Sequence, residues 1–173
     1  KKKNDRIKAA IKAAKILGCK KPTFNQFPDN ELDKISNLKL AKIIENEIKK
    51  TKPEIIFTHF KNDLNIDHTK INQALVTACR PQKNSIVKKI LFFEVPSSTE
   101  WQISKDTKHF NPNWFEDISA HLSKKILAIK AYKDELVKWP HPRSLKGIKA
   151  LANWRGASVG YKAAEGFILG RKI

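Results

Sequence analysis

Helix-like and strand-like segments alternate along this chain, and the alternation predicts a layered α/β fold with a mainly parallel sheet. Three observations carry that prediction. Apolar residues recur at helical spacing in several separate segments, short apolar runs of the doubly buried strand type lie between them, and Pro or Gly stands at most junctions. The 173 residues fit one domain able to bury a sizeable core, and no internal repeat or low-complexity linker divides them.

Each element has its own grounds. Over residues 4–17 the positions Ile7, Ala10, Ile11, Ala14 and Leu17 share one helical face, and Gly18 is a natural stop. Residues 22–27 read as a short strand closed by Pro28, Asp29 and Asn30. Ser36 or Asn37 caps a second helix with Leu40, Ile43, Ile44 and Ile48 on one side, ended by Pro53. Residues 54–60 form an apolar run expected to be a central strand, parallel to its neighbours and buried on both faces. A polar loop leads to a helix over 67–79, with Ile71, Leu75 and Ala78 inward and Pro81 beyond it. Strands are expected at 87–95 and 114–118, a long helix at 119–139, a loop at 140–144 and a helix at 145–154.

Composition narrows the function classes. With 40% apolar and 30% charged residues the chain is neither disordered nor membrane-spanning, and no stretch approaches the roughly 18–20 apolar residues a span requires. The net charge is +18, yet 30 of the 35 bases are Lys, spread over almost every segment alongside 20 Ile and 12 Asn. A nucleic-acid binder more often clusters its charge and uses Arg, so no specific nucleic-acid partner is expected, although a basic nucleic-acid-binding module stays as an alternative. Cys19 and Cys79 form no metal knuckle or disulfide framework; both are expected to be small buried side chains of an intracellular, cytoplasmic protein. No phosphate-cradling glycine loop is present and no G-x-S-x-G nucleophile elbow is expected, so neither nucleotide binding nor serine-hydrolase chemistry is expected.

The chemistry concentrates in residues 58–68, Thr-His-Phe-Lys-Asn-Asp-Leu-Asn-Ile-Asp-His, at the carboxyl end of a predicted strand, where open α/β sheets place their ligands. Asp63, Asn65 and Asp67 imitate the first half of a calcium loop. The match fails at His68, where the turn glycine belongs, and at Ala74, where the bidentate Glu belongs. Asp63 and Asn65 taken singly read as turn residues, with Asp67 capping the next helix. For His68 a metal role and a structural one stay equally open on spacing alone.

Four ordered blocks resemble the PIG-L/LmbE family: 58–68 with Ala-Leu-Val-Thr-Ala-Cys-Arg-Pro81, Phe-Glu-Val-Pro-Ser-Ser-Thr-Glu-Trp at 93–101, Pro-His-Pro-Arg-Ser at 140–144, and Trp154-Arg-Gly156 with Ala164-Glu165-Gly-Phe167. The resemblance implies a Rossmann-like, three-layer fold and zinc-dependent removal of an acetyl group from an N-acetylglucosamine-type sugar. It assigns His68 as a zinc ligand, Asp67 as a carboxylate near the metal, and Asn65 to the position where some relatives carry an oxyanion-stabilising His. The family's other ligands come from an Ala-His-Pro-Asp-Asp-Glu block that these residues do not contain. The chain, which has no Met, is therefore expected to be a fragment lacking its first strands, weak in zinc binding and without deacetylase activity of its own. A non-catalytic, degenerate homologue is the alternative.

Further residues carry paired readings. Asp29 and Asn30 are a turn or a substrate contact. His141 and Arg143 terminate one helix and cap the next, or bind sugar hydroxyls or an acidic group. His59 is a packed histidine or a site residue. Trp101 and Trp154 pack in the core or stack on a sugar, and Arg155 with Glu165 is a structural pair. The expected partner is an N-acetylated sugar, with a homo-oligomer possible.

Overall fold

The computed structural model describes residues 2–103 and 109–173. In chain order these give α1 (Lys2–Leu17), a 3-10 turn (Leu32–Lys34), α2 (Asn37–Thr51), β1 (Ile55–His59), α3 (Ile66–Ala78), β2 (Lys89–Phe93), β3 (Trp114–Asp117), α4 (Leu122–Ile129), a second 3-10 turn (Lys133–Glu135), α5 (Leu145–Ala157) and β4 (Ala164–Lys172). The chain gathers into two compact units. Residues 1–26 and 115–165 make the first, 27–114 and 166–173 the second, and β3 and β4 each run through both.

The α/β class stands, and the strands join in the order β1-β2-β4-β3. The sheet is mixed rather than mainly parallel: β1 pairs with β2 in parallel, and β4 pairs with β2 antiparallel. The expectation of a central β1 is corrected. Among the described residues β1 stands at the end of the sheet, and Ile55 and Phe57 are 45% and 49% exposed. The two-sided burial belongs instead to β2, where Ile90 and Leu91 are almost fully covered. An apolar run announces the capacity for burial, but the neighbour that covers it is decided by topology.

In the second unit α2 and α3 pack on each other, and α3 packs on β1. Leu75, Cys79, Val87 and Ile90 form one apolar cluster with Ile44, Ile48, Ile56 and Phe92 around it; Leu32, Leu40 and Ala74 form another. Ser36 caps α2 by accepting from Lys39 N, and Lys52 ends it in the left-handed region. Strand β4, which the sequence reading did not anticipate, carries a glycine where regular pairing breaks. The register shifts after Ile90, and a Cβ at Gly170 would fall 2.6 Å from the Phe92 ring. Only glycine lets the backbone pass that close.

In the first unit α1 packs on α4, and α4 on α5. Three expectations are revised. Residues 22–27 form no strand; Phe27 joins the Leu32 cluster instead, and Pro at 22 and 28 removes donors at both ends. The long helix expected over 119–139 is the short α4, because the chain turns through Tyr132 and presents Glu135 to the guanidinium groups of Arg6 and Arg143. Cys19 is exposed, while Cys79 is buried; both are free thiols. No helix among the described residues is long and apolar enough to cross a membrane.

Candidate functional site

Strand β1 ends at His59, and Phe60 N donates to Phe93 O at 3.0 Å, holding the loop that follows against β2. Asn65 then caps α3, its Oδ1 accepting from Asp67 N at 2.9 Å and His68 N at 3.4 Å. The cap sets Asp67 and His68 in the first turn of the helix. Within that bend lies Asp63, only 3% exposed. Its carboxylate accepts from Asn65 N at 2.9 Å, from Thr99 Oγ1 at 2.6 Å and from Ser98 Oγ, and it meets His68 Nδ1 at 2.9 Å. Burial pushes the Asp63 pKa up. The hydrogen bonds from His68, Ser98, Thr99 and the Asn65 backbone outweigh it and bring the pKa down to about 2.

An ionised carboxylate only accepts, so the proton between the two groups sits on His68 Nδ1. In the neutral ring Nε2 then keeps its lone pair, the arrangement by which a carboxylate orients a metal-binding or proton-accepting histidine. Ser98 donates to the carboxylate and not to the imidazole, so the three side chains do not form a serine-nucleophile triad. The His59 ring stacks on His68 with centroids 4.1 Å apart and planes 14° apart, and tilts against Phe93 at 4.7 Å. Burial, reinforced by His68 and opposed by Asp63, lowers the His59 pKa to about 4. Its Nδ1 is buried with no hydrogen-bond partner. Asn72 Nδ2 donates to His59 O at 2.7 Å and ties α3 to the end of β1.

The residues singled out from sequence fall into two groups. Asn65, Asp67 and Asn30 come together with His68. Asp67 accepts from Asn30 N at 2.8 Å and Leu32 N at 2.9 Å, and Asn65 Nδ2 donates to Asn30 Oδ1 at 2.9 Å. The cap is therefore Asn65 and not Asp67, and both side chains are committed to bracing the bend. Asn30 takes a left-handed backbone, φ 57°, at the turn it shares with the exposed Asp29. His141 and Arg143 belong to the first unit. There Arg143 N donates to His141 Nδ1 at 3.1 Å, and Arg143 Nη1 to Glu135 at 3.1 Å. Trp101 and Trp154 are exposed rather than packed in a core, and Glu165 pairs with Lys125.

The sequence reading expected a carboxylate close to His68 and gave that place to Asp67, whereas the contact is made by Asp63, which was read singly as a turn residue. Ser98 and Thr99, noted only as part of a family-like block, hold that carboxylate from 35 and 36 residues away. The one available signal was an Asp five residues before a His across a helix start. The expectation that no G-x-S-x-G run occurs is corrected: Gly-Ala-Ser-Val-Gly at 156–160 spells it. It lies at the carboxyl end of α5, where Ser158 donates to Trp154 O and Arg155 O and Gly160 turns left-handed. A nucleophile elbow needs a strand-to-helix turn, so this one is a helix terminus.

His68 presents one oriented ring, but among the described residues no three His, Cys, Asp or Glu side chains gather to hold a metal. Catalytic zinc ordinarily takes three protein ligands. By itself this set does not constitute a zinc site.

The mixed α/β chain has an LmbE-like fold, shown by its likeness to solved structures. Residues 2–79, which include the Asp63–His68 pair, match the PIG-L family model, described as GlcNAc-PI de-N-acetylase. Members of that family are commonly metal-dependent. No protein of curated function matches the chain in sequence. Among solved structures it is similar to the conserved protein TT1542 from Thermus thermophilus, at 20% identity and TM-score 0.72, over 98% of this chain and 74% of that one. It is also similar to the N,N'-diacetylchitobiose deacetylase from Pyrococcus horikoshii, solved with its inhibitor MPG, at 17% identity and TM-score 0.74. That match covers 97% of this chain but 64% of the deacetylase, less than two thirds of its length. A third neighbour, GalB from Pseudomonas putida KT2440, matches at 21% identity and TM-score 0.67, over 99% of this chain and 73% of that one. GalB is a 4-carboxy-2-hydroxymuconate hydratase. At such identities the likeness is one of fold, and a fold shared by a deacetylase and a hydratase does not choose the reaction.

Proposed function

We propose that the chain is one deacetylase-type domain of an enzyme that hydrolyses the N-acetyl group of an N-acetylglucosamine-type sugar or sugar conjugate, with zinc as cofactor and His68 as one ligand. What carries the reading is the Asp63–His68 pair, set at the carboxyl end of β1 within the stretch that matches PIG-L. Bound zinc would polarise an acetyl carbonyl. His68 cannot hold the ion alone, so the reading requires further ligands from outside the described residues.

The chain's own residues prepare that site. Asp63 keeps the Nδ1 proton on His68 and leaves Nε2 as the donor atom, while Ser98 and Thr99 hold the carboxylate ionised and in place. Asn65 and Asp67 act as positioning residues, since both brace the turn at Asn30. In this reading Asp29 and Asn30 meet sugar hydroxyls, and His141 with Arg143 supplies a second substrate contact. The enzyme works in the cytoplasm, where two free thiols persist.

A second reading, a metal-free and non-catalytic homologue, is favoured by the lack of a three-ligand group among the described residues. Zinc titration by calorimetry, with an assay of acetate release from an N-acetylglucosamine conjugate, separates the two. Weak zinc uptake that vanishes in His68→Ala, with no acetate release by the 173-residue chain, is the expected result. Zinc uptake unchanged by that substitution overturns the role of His68, and tight stoichiometric zinc with turnover overturns the ligand shortage.

A further inference from the structure

No Asp or Glu occurs between Glu135 and Glu165, the longest acid-free run in a chain already at +18. Helix α5 crosses the middle of this run with two unlike faces. Its inner face carries the buried Ala152 and Gly156, and Gly156 lies so close to Tyr161 and Ala163 that a Cβ would come within 2.7 Å of their backbone. The outer face carries Lys146, Lys149, Asn153 and Trp154, all exposed and aligned by spacings of three, four and one residues.

Two tryptophans belong to that outer face. Trp154 is 68% exposed, although Trp is highly buried on average. Trp139, 54% exposed, is joined to the start of α5 by Lys146, whose ammonium lies 4.5 Å from its ring centroid. Lys146 and Trp154 are two helical turns apart, about 12 Å along the axis. Lysines therefore lie between two exposed indoles on one surface, with no carboxylate in the whole segment.

A nucleic-acid surface would more often present Arg. Here Arg143 is engaged by Glu135, and Arg155 is only half-exposed beside the buried face. Indole with lysine suits a different partner. Trp settles at the headgroup level of a bilayer, and Lys is attracted to anionic headgroups within a Debye length of the surface. We propose that the outer face of α5, with Trp139, docks the protein on an anionic phospholipid surface, lying on the membrane without crossing it.

The test is co-sedimentation of the full chain with vesicles of phosphatidylcholine alone and of phosphatidylcholine with phosphatidylglycerol, at physiological ionic strength. Binding is expected only to the anionic vesicles. Trp154→Ala is expected to weaken it about tenfold, and the pair Lys146→Glu with Lys149→Glu at least as much. Lys39→Glu with Lys42→Glu, an equal charge change at exposed sites on α2, should leave binding nearly unchanged. Chain-brominated lipid should quench the tryptophan emission, less so in Trp154→Phe. That variant keeps an aromatic ring and guards against loss of fold. Absence of binding, equal loss from both charge-reversed pairs, or binding indifferent to Trp154→Ala would overturn the proposal. So would tighter binding to duplex DNA than to vesicles at the same salt.

Discussion

Around His68 a single buried carboxylate, Asp63, collects two hydroxyls, one backbone N–H and one imidazole. Around Arg143 a single carboxylate, Glu135, is a third exposed and collects two guanidinium groups, from Arg6 and from Arg143 itself. Both places are polar, both sit beside a helix start, and each draws residues together from distant parts of the chain. The first converts burial into orientation, because both carboxylate oxygens of Asp63 are engaged and the histidine ring has one tautomer left. The second leaves its side chains partly in solvent, and Arg143 Nε, itself buried, has no hydrogen-bond partner. A site is marked by how completely its charges are organised, not by how many it holds.

The largest effect should come from Asp63→Ala. Four donors would lose their acceptor in a place water does not reach, and the expected loss is about 3–5 kcal/mol of folding stability. Chemical denaturation measures it directly. A loss below that of an ordinary surface pair would erase the distinction between the two regions.

Next in size is a pH effect confined to the His68 corner. His59 is held neutral, with its pKa lowered to about 4, while the unfolded ring titrates near its ordinary value of 6.5. Between those values the unfolded chain binds more protons, so this contribution is complete above about pH 6.5 and lost as pH falls through about 4. It amounts to something on the order of 3 kcal/mol. Asp63, with its pKa lowered from 3.8 to about 2, adds a further loss as pH falls from about 3.8 through about 2. His59→Phe keeps a ring against Phe93 and His68 and should flatten the upper step alone. A pH dependence of stability unaltered in that variant would mean that the step arises elsewhere.

A smaller effect isolates the scaffold. Asn65→Ala removes the cap of α3 and should cost about 1 kcal/mol. The same substitution frees Asn30 from its side-chain partner, so zinc uptake at His68 should fall along with stability. Uptake unchanged in a destabilised variant would show that the bend does not position the ring.

What the sequence revealed of this comparison depended on range. Helices α2, α3 and α5 were legible from apolar spacing, Pro and Gly, which are local signals; of their caps only Ser36 was named, while α3 is capped by Asn65 rather than Asp67 and α5 by Ser144 rather than His141 or Arg143. His68 was singled out on the same local ground, as a polar residue opening a helix after an apolar strand, while its role as a ligand came from the family resemblance alone. Its orienting partners were not legible, because Ser98 and Thr99 reach Asp63 only once β1 and β2 are paired. The length of α4 failed similarly. Residues 119–139 favour helix locally, but Glu135 is claimed by Arg6, 129 residues away. Strand β4, with glycines at 166 and 170, carries weak strand propensity and acquires its place from the Phe92 ring it must cross.

The smallest effect sharpens the comparison most. Glu135→Gln removes the charge that Arg6 and Arg143 share while keeping the side chain's shape. All three groups are solvent-accessible, the side chains of Arg6, Arg143 and Glu135 being 54%, 42% and 34% exposed. Their attraction is therefore screened, and the expected loss is about 0.2–1 kcal/mol at low salt, shrinking further as salt is added. The cost of Asp63→Ala should hardly move over the same salt range, because its partners are hydrogen-bond donors shielded from ions. Denaturation of both variants at low and high ionic strength gives the contrast in one experiment. Equal salt sensitivity would place Asp63 in the same screened regime as Glu135 and would remove the physical basis for treating His68 as an organised ligand.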